Sequence, residues 1–248
     1  MTIYDKIFSN VDFEKTALII DDEKISFKKI FNDSQKLISN FKNKYGRKKI
    51  KIGAIVNNEY ESVLIYLLAS KLKYILYPFH IHATKEKINN SIIEYKLDII
   101  IIPNIKFKKK IDITKKTLKI FSYDQIIKIY NKEIKVINKY SKKNLEKTLY
   151  DHKYLVISSS GSTGNPKPII LGQLNKFKRS QYAGKTYKFT NNETLILPYN
   201  IDNSVGQRIL FMSLIHNGTL IIMKNFNENL WYSLSKKYKV SFSLLVSV

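Results

Sequence analysis

The sequence predicts an α/β protein of mostly parallel sheets covered by helices on both faces. Three observations predict it. Apolar runs of strand length alternate with segments whose apolar residues recur at helical spacing. Two of the runs, Ile50–Val56 and Leu97–Ile102, read as buried strands. Turn-forming or strand-ending residues (Asn57–Asn58, Pro78, Pro103) separate the elements. Strand–helix–strand order of this kind belongs to parallel sheets with crossover helices.

In chain order, Ala17–Asp21 and Lys24–Ser26 read as a short hairpin turning at Asp21–Asp22. Ser26 is placed to cap a helix whose apolar residues fall at 27, 30, 31, 37, 38 and 41. After the strand Ile50–Val56, a helix carries Tyr60, Val63, Leu64, Leu67 and Leu68 on one face. Tyr74–Tyr77 is a strand ended by Pro78, and Thr84 caps a helix bearing Ile88, Ile92 and Tyr95. Leu97–Ile102 is a strand stopped by Pro103; Leu118–Phe121 and Ser122–Tyr130 read as strand and helix. Lys132–Lys147 is charged and polar, and reads as an exposed connection. Beyond it come a helix from Gln173 to Tyr187, a strand end at Leu195–Pro198, a turn at Tyr199–Asn203 and a helix capped by Ser204 and closed by Gly218. A strand at Thr219–Met223, a helix opened by Asn227 and an apolar strand at Ser241–Val246 complete the pattern.

The 248 residues suffice for one or two domains with a real core. With no cysteine, disulfides, thiolate metal sites and cysteine catalysis are excluded. The four histidines have no metal-ligand spacing; His80 and His82 would share one strand face and read as a surface pair. A net charge of +23 raises nucleic acid or an anionic membrane as partners. The lysines are spread along the whole chain, however, and accompany a heavy load of Ile, Asn and Tyr, which points to coding bias. Clusters such as Arg47–Lys49 and Lys108–Lys110 then read as solvated loop ends, and no specific nucleic acid is expected. The N-terminal stretch lacks the pattern of a secretory signal, and no apolar run reaches about 18 residues, so a cytoplasmic chain without a membrane span is expected.

The sharpest stretch is Tyr154–Leu171, YLVISSSGSTGNPKPIIL, which reads as strand, polar turn, strand. Gly161 and Gly164 free the backbone for positive φ and close approach, and hydroxyls with Lys167 suit an anion on free N–H groups. By composition alone such clusters are ordinary turns. It is not a Walker A loop, since the only Gly-Lys-Thr, at 184–186, has Arg179 where the first glycine belongs. In residue order, SSGSTGNPK resembles the phosphate loop of the adenylate-forming (AMP-binding) superfamily: acyl-CoA synthetases, luciferases and peptide-synthetase adenylation domains. Pro168 stands where that pattern usually has glycine. The flanking strand–helix order is similar too, with Lys73 where those enzymes usually place a glycine before a strand.

The resemblance implies the incomplete N-terminal large domain of an adenylate-forming enzyme. Residues 1–150 would form a first α/β subdomain with a basic connection, residues 151–248 a truncated phosphate-loop subdomain, and the C-terminal small domain would be absent. The implied chemistry is ATP-dependent carboxylate activation: the acid attacks the α-phosphate, pyrophosphate leaves, and the acyl-adenylate passes to a thiol of CoA or a carrier protein. ATP and Mg2+ are the implied cofactors. Ser160, Gly161, Ser162, Thr163, Gly164 and Lys167 would hold phosphates. Tyr199 and Asp202 would lie near the acyl pocket, Asp202 at the place of the acid that binds the amino group in amino-acid-activating members. The segments for adenine, ribose and the catalytic lysine of the small domain do not appear before Val248. The chain is thus expected to be inactive alone, to be completed by a second chain, or to be a non-catalytic remnant that binds a nucleotide or a partner.

Overall fold

The computed structural model describes residues 1–46, 48–112, 118–132, 151–158 and 168–245. In chain order the elements are α1 (Ile3–Phe8), β1 (Thr16–Ile20), β2 (Glu23–Ser26), α2 (Phe27–Tyr45), β3 (Lys51–Val56), α3 (Tyr60–Leu72), β4 (Ile75–His80), α4 (Lys85–Glu94) and β5 (Ile99–Ile102). A 3-10 turn (Ile105–Lys110), β6 (Lys119–Ser122), α5 (Tyr123–Tyr130), β7 (Lys153–Ser158), β8 (Pro168–Gly172) and α6 (Gln173–Thr186) follow. The described part closes with β9 (Thr194–Leu197), α7 (Ser204–Ile215), β10 (Thr219–Ile222), α8 (Glu228–Lys237) and β11 (Phe242–Ser243).

The strands form two sheets, β6-β5-β3-β4-β7-β8 and β11-β9-β10-β1-β2. Every pairing is parallel except the hairpins β1–β2 and β7–β8. The sheets do not divide the chain near residue 150: β1 and β2 join β9 to β11, while β7 and β8 extend the sheet of β3 to β6. Side-chain alternation explains the layers. Ile52, Ala54, Ile99 and Ile101 of one sheet share a single core with Leu18, Leu195, Leu197 and Leu220 of the other. The residues between them face outward: Ile55, Ile100 and Ile102 pack on α4, and Ile19, Ile196 and Ile221 pack on α8. Between the sheets lies a helical layer. Its centre, α3, is buried at every residue from Glu61 to Ser70, so it is apolar all round rather than on one stripe.

Local chemistry accounts for most element ends. Ser26, Thr84, Ser122 and Asn227 accept from backbone N–H groups at the helix starts, and Ser122 forms a reciprocal capping box with Gln125. Asp21 and Asp22 both hold positive φ, 50° and 64°, as a two-residue hairpin turn requires. Several expectations are corrected. Helix α1 was not foreseen, although Thr2 and Asp5 make a complete capping box. Strand β4 runs through Pro78 to His80; its pairing with β7 is at Leu76, so the proline nitrogen lies past that contact and interrupts no ladder there. Asn203, not Ser204, caps α7, its Oδ1 accepting from the Gly206 N–H at 2.9 Å. Strand β11 is two residues long, and residues 246–248 lie outside the described part. The connection proposed at 132–147 lies outside it too, save Lys132.

Lys73 ends α3 at φ 59°, ψ 35°, the left-handed conformation that a glycine adopts without steric cost. That is the physical reason a glycine suits this position. Lys73→Gly is therefore expected to raise unfolding stability by about 0.5–1 kcal/mol, read as a higher urea midpoint at unchanged slope. A lower midpoint would contradict the assignment of strain to this residue.

Candidate functional site

Strands β7 and β8 pair antiparallel from Lys153↔Gly172 to Ser158↔Pro168. The polar stretch 159–167 therefore connects the two arms of a hairpin, as the strand–turn–strand pattern predicts. Ser160, Gly161, Ser162, Thr163, Gly164 and Lys167 all lie outside the described residues.

Asp202 is described, and its setting is unusual. It lines a cavity of about 220 Å3 formed by the carboxyl end of β4 (Tyr77–His80), Lys87 and Ser91 of α4, Tyr95, Val156 and Ile157 of β7, and Asn203 and Ser204. Ile157 thus brings the strand leading into the polar stretch against the wall that carries Asp202. The Asp202 Oδ1 atom is buried without a hydrogen-bond partner among the described residues. Burial raises its carboxyl above the usual carboxylate range, partly offset by the positive potential of His80 and Lys87 and by backbone donors. Tyr199 lines a different, adjoining cavity of about 310 Å3 with Asn203, Ser204 and Val205. The two predicted substrate residues therefore face neighbouring spaces that share Asn203 and Ser204.

The loop 199–203 is fixed from three directions. Asn58, 3% exposed, donates from Nδ2 to the carbonyls of Tyr199 and Met223 and accepts from the Ile201 N–H at 3.0 Å. Tyr66 of α3 donates to the Ile201 carbonyl at 2.6 Å. Gly206 lets the loop lie against α7: a Cβ there would stand 2.1 Å from the Asn200 carbonyl oxygen. Asn58 looks like a turn residue in the sequence, so its clamp is visible only once both sheets are in place.

Three further polar residues escaped sequence reasoning. The His82 N–H donates to His80 Nδ1 (3.1 Å), and Asn200 Nδ2 lies 2.8 Å from His80 Nε2. The pair read from the sequence as surface residues thus includes one member of the cavity wall. Lys176 of α6 is 2% exposed and donates to Gln207 Oε1 at 2.8 Å. Gln207 in turn donates to the Asp202 carbonyl at 3.0 Å and to the Tyr66 hydroxyl at 3.2 Å. This chain of bonds links the helix after the hairpin to the segment carrying Asp202. Burial holds the Lys176 amine well below the usual lysine range, and Arg179 and Arg208 add repulsion. The Phe211 ring, 5.7 Å away, favours the charged form, but among the described residues no carboxylate accompanies it and desolvation wins. No group of three or more possible metal ligands occurs among the described residues.

With this geometry established, comparison places the chain. A family profile described as "AMP-binding enzyme" matches residues 9–248, and the protein belongs to that family. No curated protein matches the sequence. Among solved structures, apo MatB from Rhodopseudomonas palustris superposes with a TM-score of 0.80 at 15% identity, over 95% of this chain and 48% of that one. The N-terminal domain of FACL13 from Mycobacterium tuberculosis gives 0.82 at 14% identity, over 98% of this chain and 62% of that one. The o-succinylbenzoate CoA synthetase MenE from Bacillus subtilis, solved with its acyl-adenylate intermediate, gives 0.78 at 16% identity over 93% and 45%. The chain thus spans between 45% and 62% of the length of these three structures, and the likeness is one of fold. The expected class, two mainly parallel sheets flanked by helices as in the N-terminal domain of adenylate-forming enzymes, is what the structure has.

Lys176 yields a pH prediction. Its folded pKa is depressed, so between that value and 10.5 the unfolded chain binds more protons, and stability rises with pH through that window. Between pH 7 and 9 the wild-type denaturation midpoint is expected to climb more than that of Lys176→Met, which has no amine to titrate. Parallel midpoints in the two proteins would show that Lys176 is not a buried neutral amine.

Proposed function

We propose that this chain is part of an enzyme that activates a carboxylic acid with ATP and passes the acyl group to a thiol of CoA or a carrier protein. The observation that carries the reading is a juxtaposition: SSGSTGNPK leaves the carboxyl end of β7, and Ile157 at that end lines the cavity of Asp202. An anion loop and a substrate wall would then meet where the activated carboxylate must form. ATP supplies the α-phosphorus that the carboxylate attacks and the pyrophosphate that leaves.

The roles of this chain's residues follow from their chemistry. Ser160, Ser162 and Thr163 present hydroxyl donors, Gly161 and Gly164 admit close backbone approach, and Lys167 offers a point charge to the β- and γ-phosphates. Mg2+ is implied by the family. Asp202, with a buried oxygen unpartnered among the described residues, accepts a hydrogen bond from a donor group on the acid, and the ammonium of an amino-substituted acid supplies the strongest such donor. Tyr199 forms the wall of the adjoining space. Among the described residues no helix is long and apolar enough to cross a membrane. The competing reading, a non-catalytic module that keeps only nucleotide or partner binding, is served by the same loop and differs in lacking turnover once any completing chain is present.

Two measurements test the reading. Lys167→Ala is expected to leave the thermal melt nearly unchanged, within about 0.5 kcal/mol, while weakening pyrophosphate binding by about 1.5–3 kcal/mol. Equal pyrophosphate affinity in both proteins would reduce 159–167 to an ordinary turn. For Asp202, isothermal titration with matched acids with and without an amino group should show Asp202→Asn losing affinity about tenfold for the amino acid alone, the worth of one charge-assisted bond. An equal loss for both acids would remove Asp202 from substrate recognition.

A further inference from the structure

A second cavity, of about 650 Å3, opens at the other end of the six-stranded sheet, where β3, β4 and β7 begin. Six lysines line it: Lys42, Lys48, Lys49, Lys71, Lys73 and Lys153. No Asp or Glu among the described residues does, and Leu72, Ile75 and the lysine stems add apolar surface. Of the six, only Lys71 has a carboxylate within ion-pair distance among the described residues, Asp5 at 2.6 Å.

Two ordinary explanations fall short. A chain carrying 43 Lys and Arg in 248 residues scatters lysines everywhere, but random scatter does not put six in a ten-residue lining with no acid among them. Helix carbonyl ends attract cations, which accounts for Lys42 and Lys71 in the last turns of α2 and α3 and for Lys73 just past α3. It does not account for Lys48 and Lys49, in the approach to β3, or for Lys153, the first residue of β7. These lysines come to one cavity lining from separate parts of the chain. In a concavity their like charge focuses the field on whatever enters.

We propose that this cavity binds a multiply charged organic anion of nucleotide size, a phosphate ester whose apolar body rests on Leu72 and Ile75. The volume fits such a ligand, and the apolar surface distinguishes it from inorganic phosphate. The site is separate from that of Asp202: β7 spans six residues between Lys153 and Ser158, about 17 Å at 3.3 Å per step. The proposal does not rest on carboxylate activation, and its ligand acts on the fold from the opposite sheet end.

The test uses the full chain carrying Lys167→Ala throughout, which takes the phosphate loop out of the comparison. ADP is titrated at 150 mM salt into this protein, into one with Lys48→Glu, Lys49→Glu and Lys153→Glu added, and into one with Lys178→Glu, Lys185→Glu and Lys188→Glu added instead. All six of these positions are exposed, so folding is expected to persist and is checked by the melt. The expected result is at least about a tenfold loss of ADP affinity in the first triple variant, at most about threefold in the second, and weaker binding of tripolyphosphate than of ADP. Equal losses in the two triple variants would leave only diffuse charge and overturn the proposal, as would an unchanged affinity in the first or no ADP binding at all. Tripolyphosphate binding as tightly as ADP would overturn the role of the apolar surface.

Discussion

Helix α3 is the constraint on which the rest depends. It has no solvent face from Glu61 to Ser70, so each of its sides must be covered by something else. Strands β3 and β4 cover one side, and α1, α2 and α5 pack around it. Left in water, the Val63, Leu64, Ile65, Leu67 and Leu68 side chains of this stretch would forfeit about 1.5–3 kcal/mol each. The two sheets are thereby held to one core. Tyr66, in the middle of this helix, meets the need for polar partners inside the layer: its hydroxyl bonds the Ile201 carbonyl, and its carbonyl accepts from the Tyr154 hydroxyl at 2.8 Å. The helix that carries the core therefore also fixes the loop beside Asp202 and the strand that enters the hairpin.

Around that layer several buried polar groups are paired across elements, and others, Asp202 among them, are not. Gln173 joins Ile3, Ser70 and α6 through bonds of 2.9–3.1 Å, and Ser70 joins α1 through Tyr4. By contrast, among the described residues Asp202 keeps a buried oxygen without a partner, and Lys176 is buried without a carboxylate. Burying such groups costs free energy that folding alone does not recover. They sit at the two ends of the Lys176–Gln207–Asp202 chain, and Asp202 lines the cavity at the carboxyl end of the sheet.

Much of this was legible in the residues themselves. The hairpin at Asp21–Asp22, the caps at Ser26, Thr84, Ser122 and Asn227, and the strand–helix alternation are local effects, set by side chains within a few residues of one another. The order of hydroxyls, glycines, proline and lysine in 159–167 was legible as a motif. Pro78 misled because a proline ends a strand only when its missing N–H would have had a partner, and that depends on where β7 lies. Ser204 misled because Asn203 and Ser204 are both good caps, and the tight approach of Gly206 to the Asn200 carbonyl decides between them.

The sequence by itself determined the fold class, the order of elements and the family-like loop, because hydrophobic period, capping and turn chemistry act over distances of a few residues. Only the tertiary structure decided which strands share a sheet, that Asn58 ties loop 199–203 to β10, that His80 belongs to a cavity wall, and that Lys176 is buried. Each of these joins residues separated by tens to more than a hundred positions, as Asn58 and Met223 are. Pairings at such separations are set by how the layers pack around α3, and no local pattern encodes them.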